Sequence, residues 1–118
     1  MKKSELENRL VKFSISIIAL TKEMEEGFES QHLGKQIIRS GTATALLYGE
    51  AQGAISKKDF IHKISLVLRE LKETEINLSI IEGSNLYKNQ SQMDWYKDEC
   101  LQLIRIFMKT MQTAKQRD

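Results

Sequence analysis

Proline is absent from this 118-residue chain, and glycine occurs only six times. Without proline nothing imposes a break inside a helix, because proline removes a backbone donor and clashes with the preceding turn. Valine occurs twice, at Val11 and Val67, while Leu, Ile, Lys, Glu and Gln are common. That balance favours helix over sheet. A lone cysteine, Cys100, excludes an intrachain disulfide and fits a reducing, cytoplasmic setting. No apolar run reaches the roughly 18 residues needed to span a membrane. The start, Met1-Lys2-Lys3, is followed by Glu5, Glu7 and Arg9 rather than by a secretory hydrophobic stretch.

A large charge excess is also missing. The formal net charge is +2, and only residues 84–118 are unbalanced, with six basic against four acidic side chains. A strongly basic chain would point to nucleic acid; the composition of this one does not. The length fits one domain, 1–118, with a core large enough to do without disulfide or metal staples.

What is present is helical periodicity. Leu6, Leu10, Phe13, Ile17, Leu20 and Met24 alternate steps of four and three, predicting a helix over about 4–26 with Val11 and Ile18 widening its stripe. Ser4-Glu5-Leu6-Glu7 reads as its capping box and Gly27 as its stop. A second helix is expected over about 31–52, with Leu33, Ile37, Ala45 and Tyr48 near one face. Its middle, Ser40-Gly41-Thr42-Ala43-Thr44-Ala45, is a run of small residues. Glycine costs about 1 kcal/mol inside a helix, so Gly41 implies close approach of a neighbouring backbone. Ser56-Lys57-Lys58-Asp59 caps a third helix, about 57–82, with Phe60, Ile64, Val67, Leu71, Thr74, Leu78 and Ile81 on one stripe. Ile61 and Leu68 form a second stripe beside it, which fits burial on two sides. Gly83 ends this helix. A fourth, about 92–114, carries Met93, Tyr96, Cys100, Leu103, Phe107, Met111 and Ala114, and the tail after it is expected to fray. Short connections between four such helices make an all-α, antiparallel up-down-up-down four-helix bundle.

Catalytic chemistry finds little footing. A metal-carboxylate bundle needs Glu-x-x-His pairs aimed inward. The nearest patterns, Glu29-Ser30-Gln31-His32 and Asp59-Phe60-Ile61-His62, fall at helix starts, and Lys58 and Lys63 flank His62. Cys100 lies on an apolar stripe, where cysteine behaves as a small hydrophobe. No phosphate-binding loop or nucleophile elbow occurs. Of Trp95 and Tyr96, one ring is expected inward and the other at the rim. No catalytic, cofactor or metal residue is assigned, and no small-molecule substrate is evident.

Four charges, Arg39, Glu50, Glu73 and Glu75, stand near apolar positions and are candidate buried or interface charges, with an arginine across the bundle as a partner for Glu73. They also sit in a recognisable register: Gln36-Ile37-Ile38-Arg39-Ser40, Glu50-Ala51-Gln52-Gly53, Ser56-Lys57-Lys58-Asp59-Phe60 and Glu73-Thr74-Glu75. Over about residues 36–76 this resembles the four-helix-bundle family first met as products of intervening sequences within bacterial 23S ribosomal RNA genes. Leu47 stands where that family usually has asparagine and Ala51 where it often has glycine, so a role for that asparagine does not carry over.

The resemblance implies a small cytoplasmic bundle assembled into a ring, commonly a homopentamer. A similar fold serves as the accessory subunit of diversity-generating retroelements, where a basic pentamer binds nucleic acid and a reverse transcriptase. The leading expectation is therefore a non-enzymatic scaffold or adaptor associated with itself and with RNA or a ribonucleoprotein. Gly41, Ala45, Ile61 and Leu68 are its candidate ring contacts. The alternative is a direct, non-specific binder of RNA or DNA through Lys57, Lys58, Arg105, Lys109, Lys115 and Arg117. A metal-carboxylate enzyme stands third.

Overall fold

A computed structural model describes residues 1–117; Asp118, the last residue of the expected domain and tail, lies outside the described residues. The chain forms four helices: α1 (Lys3–Lys22), α2 (Phe28–Gln52), α3 (Lys57–Gly83) and α4 (Gln90–Gln116). No strand occurs among the described residues. The helices pack into an elongated body of 50 × 23 × 21 Å.

Local chemistry moves several helix ends from where the sequence put them. α1 starts after Lys2, whose amide donates to the Glu5 carboxylate at 3.2 Å, so Ser4 is already helical. It stops at Lys22 rather than Glu26, and Gly27, instead of closing α1, precedes α2 with φ at 147°. That backbone conformation favours glycine. Ser56 does cap α3, accepting the Asp59 amide at 3.0 Å, while the Asp59 carboxylate reaches the Ile55 amide at 3.4 Å. Gly83 is the last residue of α3, and the left-handed position falls to Asn85 (φ 57°). Asn89 caps α4 by accepting the Gln92 amide, and α4 stays helical to Gln116.

Pairings between helices give their directions. Ser14 of α1 donates to the carbonyls of Leu10 and of Gly41 on α2. On α2 and α3, Arg39 meets Glu73 while Glu50 meets Lys63. The Cys100 thiol of α4 donates to Leu71 on α3 at 3.3 Å, and Arg9 of α1 holds Glu99 of α4 through two bonds of 2.8 Å. Consecutive helices therefore run antiparallel, α4 closes against α1, and α1 and α3 occupy diagonal corners.

The core fills the space between them: Leu10, Phe13, Ile17 and Leu20 of α1, Ile37 of α2, Ile64, Val67, Leu71, Leu78 and Ile81 of α3, and Met93, Leu103 and Phe107 of α4 are all fully buried. The Tyr48 and Phe107 rings meet edge to face at 5.4 Å across the α2–α4 diagonal. Gly41 lets α1 and α2 close up, since a β-carbon there would lie 3.1 Å from two Ile17 side-chain carbons. The neighbour at Gly41 is thus a side chain of the same chain, Ile17, rather than the backbone expected from the sequence.

Candidate functional site

No group of three or more His, Cys, Asp or Glu residues that could hold a metal occurs among the described residues. His32 is exposed, stacked on Phe28 with ring centroids 6.4 Å apart, and Gln36 lies 3.1 Å from its Nε2. His62 is exposed beside Lys63, and Glu29 is exposed at the start of α2. Cys100 is buried, and burial pushes its thiol from 9.0 up to about 12. A thiol held that firmly in its neutral form is a poor nucleophile. Tyr96 turns inward and donates to the Ser16 carbonyl at 2.6 Å, while Trp95 sits at the rim.

Three of the charges singled out by spacing, Arg39, Glu50 and Glu73, lie along the outer edge of the α2–α3 seam, while Glu75 borders the α3–α4 cleft. Arg39 donates to Glu73 at 2.6 Å and stands 3.4 Å from Glu70; the Glu73 hydrogen bond, ahead of the Glu70 charge, holds its guanidinium more firmly protonated than usual. The Glu50 bond at 2.7 Å does the same for the Lys63 ammonium. Arg39 and Glu50 are exposed, and Glu73 and Glu75 half-buried, so none of the four is a buried charge within the chain. The buried carboxylate is Glu70, one Oε1 of which has no hydrogen-bond partner. Its signal in the sequence was position, three residues after Val67 and four before Thr74, inside the core stripe. Just inside the seam, the Thr74 hydroxyl donates to the Glu70 carbonyl at 2.8 Å and stands 2.9 Å from the Ser40 hydroxyl.

The candidate ring contacts divide. Gly41 is buried against Ile17 and Ser14, so it offers no surface to another copy. Ala45 and Leu68 are half-buried against the core, and Ile61 is half-buried at the start of α3. The apolar side chains that do remain outside lie elsewhere. On α1, Val11 (42% exposed), Ile15 (61%) and Ile18 (38%) make an outward stripe, with Lys22 continuing it one turn on. Val11 and Ile18 thus do not widen the core stripe: it is filled by Leu10, Phe13 and Ile17, and both side chains fall on the far side of the helix. On α3, Ile76 and Ile80 are exposed and, with Leu101 of α4, line a cleft edged by Glu75, Lys97 and Asp98. Lys97 is already engaged by Glu82 at 2.6 Å. Because α1 and α3 are diagonal, these two apolar surfaces point away from each other.

The six candidate nucleic-acid contacts are all exposed, at different places. Lys57, Lys115 and Arg117 come together where α3 begins and α4 ends, the Lys57 ammonium donating to the carbonyls of Lys115 and Arg117. Lys58 follows on α3. Lys109 lines a neighbouring cleft with Phe60 and Arg117, and Arg105 lies further up α4.

The structure is thus a closed four-helix body whose exposed features lie on its outer faces and at one end. Residues 2–109 match the family described as 23S rRNA-intervening sequence protein, and the chain belongs to that family. A crystal structure of a protein of unknown function, assigned to the S23 ribosomal protein family of Bacteroides thetaiotaomicron, has the same fold with a TM-score of 0.84. It is 25% identical, over 95% of this chain and 99% of the other. No curated protein matches the chain. Among the described residues, no helix is long and apolar enough to cross a membrane.

Proposed function

We propose that this protein is a non-enzymatic, self-assembling bundle that acts as a scaffold or adaptor, its copies joined into a cyclic ring. One observation carries the reading: two different apolar surfaces, the outward stripe of α1 and the α3–α4 cleft, lie on opposite sides of the same chain. A contact between unlike faces propagates around a ring when the rotation closes. Ile15 and Ile18 of α1 and Ile76 and Ile80 of α3 all fall in the second halves of their helices, which run parallel, so copies can join side by side with little axial offset. Charge supports the match, because Lys22 continues the α1 stripe while Glu75 and Asp98 edge the cleft. The family resemblance implies five copies.

Light scattering with circular dichroism tests this. Ile76→Glu and Ile15→Glu change exposed positions, so each should yield particles smaller than wild type with helix content retained. Leu68, a candidate ring contact, is a poorer probe because it packs partly on the core. A wild-type chain that stays monomeric at micromolar concentrations and above refutes the ring.

A second reading, direct binding of nucleic acid, is favoured by the basic end of the bundle. Such binding is expected to be weak and to collapse as salt rises, through loss of counterion release. A gel shift showing tight, sequence-selective binding at physiological salt would contradict that reading.

A further inference from the structure

Two adjoining clefts lie at the end of the bundle where α1 and α3 begin. The larger is lined by Lys3, Gln52, Ser56, Lys57, Phe60 and Arg117, among small apolar residues. The other adds Lys109, Thr110 and Thr113, and the two share Phe60, Ala114 and Arg117. Neither is lined by a carboxylate among the described residues, whereas the clefts along the sides and at the opposite end are lined by Glu75 and Asp98, by Glu73, or by Glu25 and Glu26. Lys3 and Lys109 form no ion pair among the described residues. Lys57, which lines the larger cleft, is held toward the last carbonyls of α4. Four cations therefore surround one half-buried aromatic ring.

Resting on the nucleic-acid reading above, we propose that this double cleft binds nucleotides, with phosphates on Lys3, Lys109 and Arg117 and a base against Phe60. A free phosphate would need only the cations. The aromatic wall between them is what a ligand with both a phosphate and a flat ring would use, and a positive groove interleaved with an aromatic platform is the chemistry that holds single strands without reading sequence. The two joined clefts offer more than one subsite, which favours a short single-stranded oligonucleotide over a free mononucleotide. The same chemistry could come from either source.

Fluorescence anisotropy of a labelled oligo-uridine, with adenosine monophosphate and inorganic phosphate as competitors, separates the possibilities. Lys3→Glu with Lys109→Glu should weaken binding more than tenfold and flatten its salt dependence, since fewer counterions are released. Phe60→Leu, which keeps an apolar side chain against the core, should weaken it roughly five- to hundredfold, as loss of one stacked base does. Lys12→Glu, the same charge change on the side of α1, should leave binding near wild type. Displacement by unlabelled oligo-uridine at far lower concentration than by the mononucleotide assigns the site to a strand; equal displacement assigns it to free nucleotides. Inorganic phosphate displacing as well as the mononucleotide overturns the role of Phe60. Binding that survives all the end variants overturns this site while leaving the nucleic-acid reading intact, and no binding by wild type overturns both.

Discussion

α1 carries two apolar stripes with different fates. Leu6, Leu10, Phe13, Ile17 and Leu20 are buried between three other helices, whereas Val11, Ile15 and Ile18 lie on the outside of the same helix. Residue types are alike, and both stripes follow helical spacing. The difference is the company each keeps: Phe13 and Ile17 are wholly buried in the core, Ile17 against Gly41 of α2, while Ile15 is 61% exposed among the described residues. Apolar periodicity thus reports which faces avoid water, and only packing reports whether the cover comes from the same chain.

The sharpest way to break that comparison is to truncate one residue on each stripe. Phe13→Ala should cost about 3–5 kcal/mol, the usual range for removing a buried aromatic ring, in a denaturant titration followed by circular dichroism. A loss under 1 kcal/mol would mean the inner stripe is not the main core. Next comes the seam that the inner stripe shares with α2. Gly41→Leu drives a branched side chain into Ile17 and should cost about 1–3 kcal/mol, or push α1 off the bundle with loss of the Ser14–Gly41 contact. Amide exchange in α1 would report which occurs.

A third test uses protons. The Cys100 thiol keeps its proton up to about 12 in the folded chain because burial disfavours the thiolate, whereas in the unfolded chain it ionises near 9.0. Its contribution is fully present below 9.0 and is lost between 9.0 and about 12, so stability falls with rising pH, by up to about 1.4 kcal/mol per unit. Below pH 10, before tyrosines ionise, Cys100→Ala should flatten that slope. Native Cys100 should also resist thiol reagents at pH 8 and react once denaturant is added. The smallest effect belongs to the outer stripe: Ile15→Ala should change the stability of dilute chains by less than about 0.5 kcal/mol. A larger loss would place Ile15 in the core and remove one of the two surfaces on which the ring depends.

Much of the fold was legible because helix formation is local. The absent proline, the stripes at steps of three and four and the Ser56 cap all act within a few residues, so four helices and most of their inner faces follow from the sequence alone. Helix ends were less legible, as at Gly27, where a glycine suited to end α1 instead opens α2 through a backbone angle that spacing does not encode. An arginine partner for Glu73 was expected without being named; Arg39 supplies it from the neighbouring helix, as an exposed edge pair, and the buried acid proved to be Glu70, hidden in the apolar period.

The site was least legible, since it depends on residues distant in the chain. Lys3, Phe60, Lys109 and Arg117 share a pair of clefts only because α1 and α3 begin where α4 ends. The neighbours of Gly41 were likewise decided by tertiary packing. Composition could state that a small residue there admits a close partner, but it could not say whether that partner was another copy or Ile17. The sequence by itself therefore determined four amphipathic helices and their family; the tertiary structure decided which apolar stripe became core, because burial is a property of neighbours and not of spacing.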